Sequence, residues 1–321
     1  MIITTTPFRV SFSGGGTDLK DYYKLGYGSV LSTTINKYMY ITVNKSFDDR
    51  IRISYSETEI VDHIDKLKHP IVKAALKLVG IKKGIEITSI ADMPKKSGLG
   101  SSSSFTVGLL NALYAYQGKL KSAEELAKEA CRIEIDILKE PIGKQDQYAA
   151  AYGGFNHIMF YSNGSVTVEP VISKKLKLLE HNLLLFYTNI QRSASSILTE
   201  QKSKIAETKG ILDKMAHLSL DMKSFLLNNH LDNFGALLDK EWGLKKQLAS
   251  NVSNPIIDGY YNKAKKAGAL GGKIAGAGVG GFLLIYCELN KQHKVKEALK
   301  KLRCIPFSFE KQGSQIRFVE G

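Results

Sequence analysis

Alternation of apolar and polar residues at period two predicts a strand over Ile2–Ser13, and a β-branched and aromatic run predicts a longer one over Val30–Lys45. Ile85–Ile90 reads as a further strand entering a glycine- and serine-rich segment. Helical spacing follows over Ser101–Tyr116 and Ser122–Leu138, the second opening on Ser122 and Glu125 at capping-box spacing. Phe155–Phe160 and Val166–Val171 read as a hairpin turning at Ser162, Asn163 and Gly164. Past the basic link Lys174–Lys177, the run LLLFY at Leu183–Tyr187 predicts a buried strand, and Ser193–Ala249 is helical and charged almost throughout. A helix over Pro255–Ala267, a strand near Leu270–Ala275, a strand over Phe282–Cys287, a helix over Lys291–Leu302 and a short final strand complete the pattern. A chain of 321 residues exceeds the usual single domain, so the expectation is an α+β protein of two domains, residues 1–174 and 175–321, sharing a cleft.

The segment Pro94–Ser104, PKKSGLGSSSS, joins a strand to an apolar helix and has the chemistry of a phosphate cradle. Gly98 and Gly100 remove the Cβ atoms that would hold a backbone away from a polyphosphate, and the first amides of the next helix have no intrahelical partners. Ser101–Ser104 add hydroxyls. A serine-capped helix after a flexible turn uses the same residues. Other nucleotide loops are excluded: no lysine followed by Ser or Thr closes a Walker loop, and GAGVGG at Gly276–Gly281 leads into a strand, whereas the dinucleotide fingerprint must open a helix. GAGVGG is expected to be a second close-approach loop.

Charge adds little to this picture. The formal net charge of +14 comes from lysines scattered along helical faces, without the clustered basic and aromatic surface that nucleic acid requires. Cys131, Cys287 and Cys304 are too few and too far apart for a disulfide framework, no zinc spacing occurs, and none of the seven histidines falls in a triad pattern. The start MIITTTPFRV has no basic and apolar leader pattern, and later apolar runs are strand-sized. A cytoplasmic protein with no membrane or nucleic-acid partner is expected.

Three separated motifs carry a resemblance. PFRVSFSGGGTD at Pro7–Asp18, the PKKSGLGSSSS loop and KIAGAGVGGF at Lys273–Phe282 resemble, in order and content, the three motifs of the GHMP small-molecule kinases. EPIGKQDQYAAAYGG at Glu140–Gly154 and YTNIQRSASSIL at Tyr187–Leu198 are most similar to the branch that phosphorylates D-glycero-D-manno-heptose phosphates. The resemblance spans nearly the whole chain. It implies a two-domain GHMP kinase fold, with a ribosomal-protein-like N-terminal ATP-binding domain and a ferredoxin-like C-terminal domain. It also implies an ATP-dependent sugar kinase that uses ATP and Mg2+, acting at C1 of heptose 7-phosphate. Heptose 1-phosphate, fucose or a non-catalytic sugar sensor are the alternatives.

The same resemblance assigns sites. Asp146 would take the proton of the attacking hydroxyl, with Lys144 close enough to keep it ionised, and Arg9 would stabilise the transferring group where several relatives carry lysine. Lys96, Ser97, Gly98, Leu99, Gly100, Ser101, Ser102 and Ser103 would wrap the phosphates. Ser102 and Glu134 would sit at magnesium, although the residues alone leave Glu134 open between that role and a solvated helix face. Gly15, Gly16, Thr17 and Asp18 would hold the sugar, Asp18 by a bidentate grip on two hydroxyls. Gly276, Ala277 and Gly278 would approach from the other domain. From the residues themselves, Arg192 and Ser193, with Ser195, precede a long helix whose free amides can join them on an anion, and they are expected to hold the phosphate already on the sugar.

Overall fold

Strand β1 (Ile2–Ser13) buries Phe8, Val10 and Phe12 on one face, so the alternating residues Arg9, Ser11 and Ser13 share the other. It runs antiparallel to β2 (Tyr27–Lys45), with the register slipping between Pro7 and Phe8, where proline has no amide to give the ladder. The computed structural model describes residues 1–190, 195–278 and 280–320. In it β2 is the longest strand, pairing through Tyr27–Thr33 with β6 (Phe155–Tyr161) and through Met39–Lys45 with β5 (Ile85–Ala91). The hairpin β3 (Ile51–Ser54) and β4 (Thr58–Val61) extends one edge, and β7 (Val166–Pro170) pairs with β6. The helix Ser101–Tyr116 packs on β1 and β2, buried over almost its whole surface.

A second, four-stranded antiparallel sheet has the order β11 (Arg303–Ile305), β8 (Leu183–Tyr187), β10 (Phe282–Tyr286), β9 (Gly271–Ile274). Its central strands are apolar without alternation because both faces are covered. The two-part α+β architecture is the expected one.

The boundary at residue 174 does not follow the sheets. After β11 the chain returns to the first sheet, where β12 (Phe309–Glu310) pairs with β2 and β13 (Gln315–Val319) pairs with the outer edge of β1. Helix Ile205–Leu227 also packs on β1 and β2. Apolar surface on that sheet therefore stays uncovered until residues far along the chain arrive.

Other local differences have local causes. The expected helix Ser122–Leu138 opens with its capping box intact but is α-helical only over Ala123–Cys131, then widens into a π-turn over Arg132–Ile137. Pro70–Val79 and Gln145–Tyr152 are helices that the pattern did not announce, the second rich in polar residues at its start. No helix among the described residues is long and apolar enough to cross a membrane.

Candidate active site

Arg9 leaves the polar face of β1 and meets Asp146, which stands in the first turn of helix Gln145–Tyr152. The guanidinium donates from Nε to Oδ1 at 2.7 Å and from Nη2 to Oδ2 at 2.9 Å, a two-point pair. Its Nη1 donates to the Gly98 carbonyl at 2.6 Å, and the Arg9 amide donates to the Leu99 carbonyl at 3.0 Å. One arginine thus ties the Gly98–Gly100 loop to the carboxylate. Lys144 does not act on Asp146 as expected: it donates to the Gly164 carbonyl and lies over the Tyr23 ring. The arginine takes that position.

The loop enters the helix Ser101–Tyr116 through Gly100 in the left-handed region, which offers no capping side chain, so the first-turn amides stay available. Leu99 is buried and anchors the loop, while Ser103 and Ser104 are buried and Ser102 faces outward. The second glycine loop lies against it, backbone to backbone. A Cβ on Gly98 (φ +80°) would come within 2.4 Å of the Ala275 carbonyl oxygen, and one on Gly276 (φ +70°) within 2.5 Å of the Gly98 Cα. Ala277 and Gly276 line the adjoining cavity.

Glu134 lies at the start of the π-turn and is fully buried, which removes the solvated-face reading. Ser102 Oγ donates to its Oε1 at 2.5 Å and Gln147 Nε2 to its Oε2 at 2.7 Å. Burial pushes its carboxyl up to about 7, offset in part by the Ser102 and Gln147 bonds. Two hard oxygens in contact, the Ser102 hydroxyl and the Glu134 carboxylate, suit a small divalent cation that takes only one or two protein ligands.

Asp18 is buried, and its Oδ1 accepts from the Gly16 amide and Gln145 Nε2, its Oδ2 from the Gln145 amide. Burial raises its carboxyl above the usual range, against the pull of the Gln145 amide. With three bonds inside the protein it holds the GGGTD loop to the 143–146 turn, and fewer lone pairs are left than a bidentate sugar grip needs. Thr17 is internal too, donating to the Gly14 and Ser29 carbonyls. Gly15, Gly16, Asp18, Gln145, Asp146 and Arg9 line a small cavity of about 80 Å³, which Ser11, Leu198, Gln201 and Lys245 complete.

That cavity is short of partners. Ser11 Oγ, Gln145 Oε1 and Gln201 Nε2 are buried without any hydrogen-bond partner among the described residues. Arg192 and Ser193 lie outside the described residues; the helix Ser195–Ser203 that follows them supplies Leu198 and Gln201. Ser11, Gln201 and Lys245 were not singled out by sequence. Only the alternation along β1, which puts Ser11 beside Arg9, pointed towards one of them.

On the outer side of the loop a second cavity, of about 380 Å³, is lined by Tyr55, His69, Ile90, Met93 and Phe105 together with Lys95, Lys96, Ser101 and Ser102. His69 stacks on Phe105 at 5.1 Å and meets Tyr55 edge-on at 4.8 Å. Burial holds its imidazole below the ordinary value. This aromatic and aliphatic recess shares Ser101 and Ser102 with the glycine- and serine-rich loop.

Comparison with known proteins agrees with this geometry. The model of the GHMP kinases N terminal domain matches residues 68–154, and that of the GHMP kinases C terminal region matches residues 222–303. The D-glycero-alpha-D-manno-heptose 7-phosphate kinase of Campylobacter jejuni is 33% identical over 333 residues, covering 97% of this chain and 97% of that protein. The galactokinase of Pyrococcus furiosus is 25% identical over 100% of this chain and 98% of its own. A solved D-glycero-D-manno-heptose 1-phosphate kinase from Bacteroides thetaiotaomicron superposes with a TM-score of 0.82 at 27% identity, over 100% of both chains.

Proposed function

Because the chain belongs to the GHMP kinase family and is an ATP-dependent sugar kinase, we propose that it phosphorylates the C1 hydroxyl of a D-glycero-D-manno-heptose 7-phosphate, giving the 1,7-bisphosphate. The observation that carries the transfer chemistry is the Arg9–Asp146 pair: Arg9 bonds the phosphate loop at Gly98 and Leu99, and Asp146 lines the cavity on its other side. Acceptor and donor would meet there. The 33% identity to a heptose 7-phosphate kinase over the full length supports the choice of acceptor.

In this reading the base of ATP enters the recess of Tyr55, His69 and Phe105, and its phosphates lie along Lys96–Ser103. The acceptor oxygen attacks the γ-phosphorus while its proton passes to Asp146, and the bond to the bridging oxygen breaks to release ADP. Each Asp146 oxygen keeps a lone pair beyond its bond to Arg9, enough to accept that proton. Arg9 offsets the charge spreading over the transferring group. Ser102 and Glu134 would hold Mg2+, which would supply positive charge against the phosphates of ATP and so favour the transfer. Arg192 and Ser193 are assigned to the phosphate that the sugar already carries.

A second acceptor, heptose 1-phosphate, draws on the kinase from B. thetaiotaomicron that superposes at a TM-score of 0.82. A coupled assay of ADP release with ATP and magnesium tests both, over heptose 7-phosphate, heptose 1-phosphate, free heptose, fucose, galactose and mannose. Turnover restricted to heptose 7-phosphate is expected. Preference for heptose 1-phosphate moves the acceptor, and equal rates on free and phosphorylated sugars remove the role of Arg192.

A further inference from the structure

Two polar side chains of the small cavity, Lys245 and Gln201, come from helices of the second half of the chain, and the transfer steps above use neither. Lys245, the last residue of helix Leu231–Lys245, is buried, and its ammonium donates to the Gly276 carbonyl, its one hydrogen-bond partner among the described residues. An ammonium has three protons to give. The charged groups around it are Arg9 from β1, Lys273 from β9, Asp18 from the glycine loop and Glu241 one turn earlier on its own helix. The carboxylates are engaged elsewhere. Glu241 accepts from Ser13 Oγ at 2.9 Å, the Gly14 amide at 3.2 Å and Lys273 Nζ at 3.4 Å, while Asp18 holds Gly16 and Gln145.

A buried ammonium beside two other cations and with a single carbonyl partner gains the fold nothing, and burial accordingly weakens its hold on its proton. Gln201, which lines the same cavity, repeats the pattern without charge, its Nε2 buried and unpartnered among the described residues. Donors kept short of acceptors in a cavity that also holds Asp146 await oxygen atoms from outside.

We propose that Lys245 and Gln201 are the acceptor-selecting donors of this kinase, bonding sugar oxygens and so fixing which hydroxyl faces Asp146. This rests on the sugar-kinase reading of the cavity. A polyol that supplies oxygens to both is selected, and an analogue lacking one leaves a buried donor unpaired and is rejected.

The test measures, for wild type, Lys245→Met, Lys245→Arg and Gln201→Leu, steady-state kinetics and calorimetric binding of heptose 7-phosphate, with free heptose and fucose as alternate acceptors. Lys245→Met is expected to raise the acceptor KM and Kd about tenfold to a hundredfold. The KM for ATP should stay within about threefold, a split between the two substrates that lost folding does not produce. Lys245→Arg should recover part of the affinity, and the thermal midpoint of Lys245→Met should hold or rise. Gln201→Leu should show a smaller acceptor-only effect. Unchanged acceptor Kd in both neutral variants, or equal losses for acceptor and ATP with a lowered midpoint, overturns the proposal. Wild type that binds these sugars without ADP release would sink the kinase reading while the Kd ratios still decide Lys245; wild type that binds none of them overturns both.

Discussion

Around Arg9 each charged group meets a partner: Asp146 twice, the Gly98 carbonyl once, and Glu134 nearby held by Ser102 and Gln147. In the adjoining cavity the reverse holds, with Ser11 Oγ, Gln145 Oε1 and Gln201 Nε2 unpartnered and Lys245 left with one carbonyl for its three protons. The groups assigned to chemistry are fixed before any ligand enters, as electrostatic preorganisation requires. The groups assigned to recognition are left incomplete, so that the right acceptor completes them and a wrong one cannot.

The sharpest way to break this contrast is Asp146→Asn. Turnover should fall roughly 10²–10⁴-fold, the usual worth of a general base, with ATP affinity nearly intact. A stopped-flow or coupled assay beside an ATP-binding isotherm decides it, and wild-type turnover would end the role of Asp146. A smaller effect is expected where the two loops touch. Gly98→Ala forces a side chain into the left-handed region and against the Ala275 carbonyl, which should cost about 1–3 kcal/mol and raise the KM for ATP. An unaltered unfolding midpoint would mean that the loops stand apart in solution.

Asp18→Ala lies between the two regions, since Asp18 lines the cavity yet spends its oxygens on Gly16 and Gln145. About a tenfold rise in acceptor KM is expected, together with a lower melting temperature from the freed glycine loop. A rise in KM alone would restore the direct sugar grip.

A further effect is a drift with pH. Glu134 is held near 7 in the folded chain against an ordinary 4.5, so the native state binds more protons between those values than the unfolded one. Its contribution to stability is therefore full below about 4.5 and is lost as pH rises through about 7. The melting temperature of ligand-free wild type should decline over that window relative to Glu134→Gln, and magnesium with ATP should displace a proton near neutrality. Parallel curves for the two proteins would contradict this account of Glu134.

What the sequence disclosed was local or rested on the family resemblance. Strand Ile2–Ser13, helix Ser101–Tyr116 and strand Leu183–Tyr187 appear with the bounds their patterns predict, and the Ser122–Glu125 capping box forms, because each is decided within a few neighbouring residues. The π-turn at Arg132–Ile137 was not visible, since one extra residue in a helical turn barely alters apolar spacing. The motifs point to Arg9 and to Asp146 separately, but their pairing spans 137 residues and no periodicity encodes it. Lys245 shows the limit most clearly. In EWGLKK it looks like its neighbour Lys246, and only the seating of the helix against the Gly276 loop makes one lysine buried and the other not.

Strand β13 carries a consequence for how the molecule is made. It covers the outer edge of β1, Met1 and Glu320 exchange backbone hydrogen bonds, and Ser314 bonds both Thr6 and Asn111. During synthesis the strands of residues 1–174 leave the ribosome long before residues 309–319 do. Until then the edge of β1 offers unpaired amides and carbonyls to any passing strand. The sheet that bears Arg9 is begun first and sealed last, so the nascent chain must pass through an interval of exposed edge that a sheet built from consecutive strands would avoid.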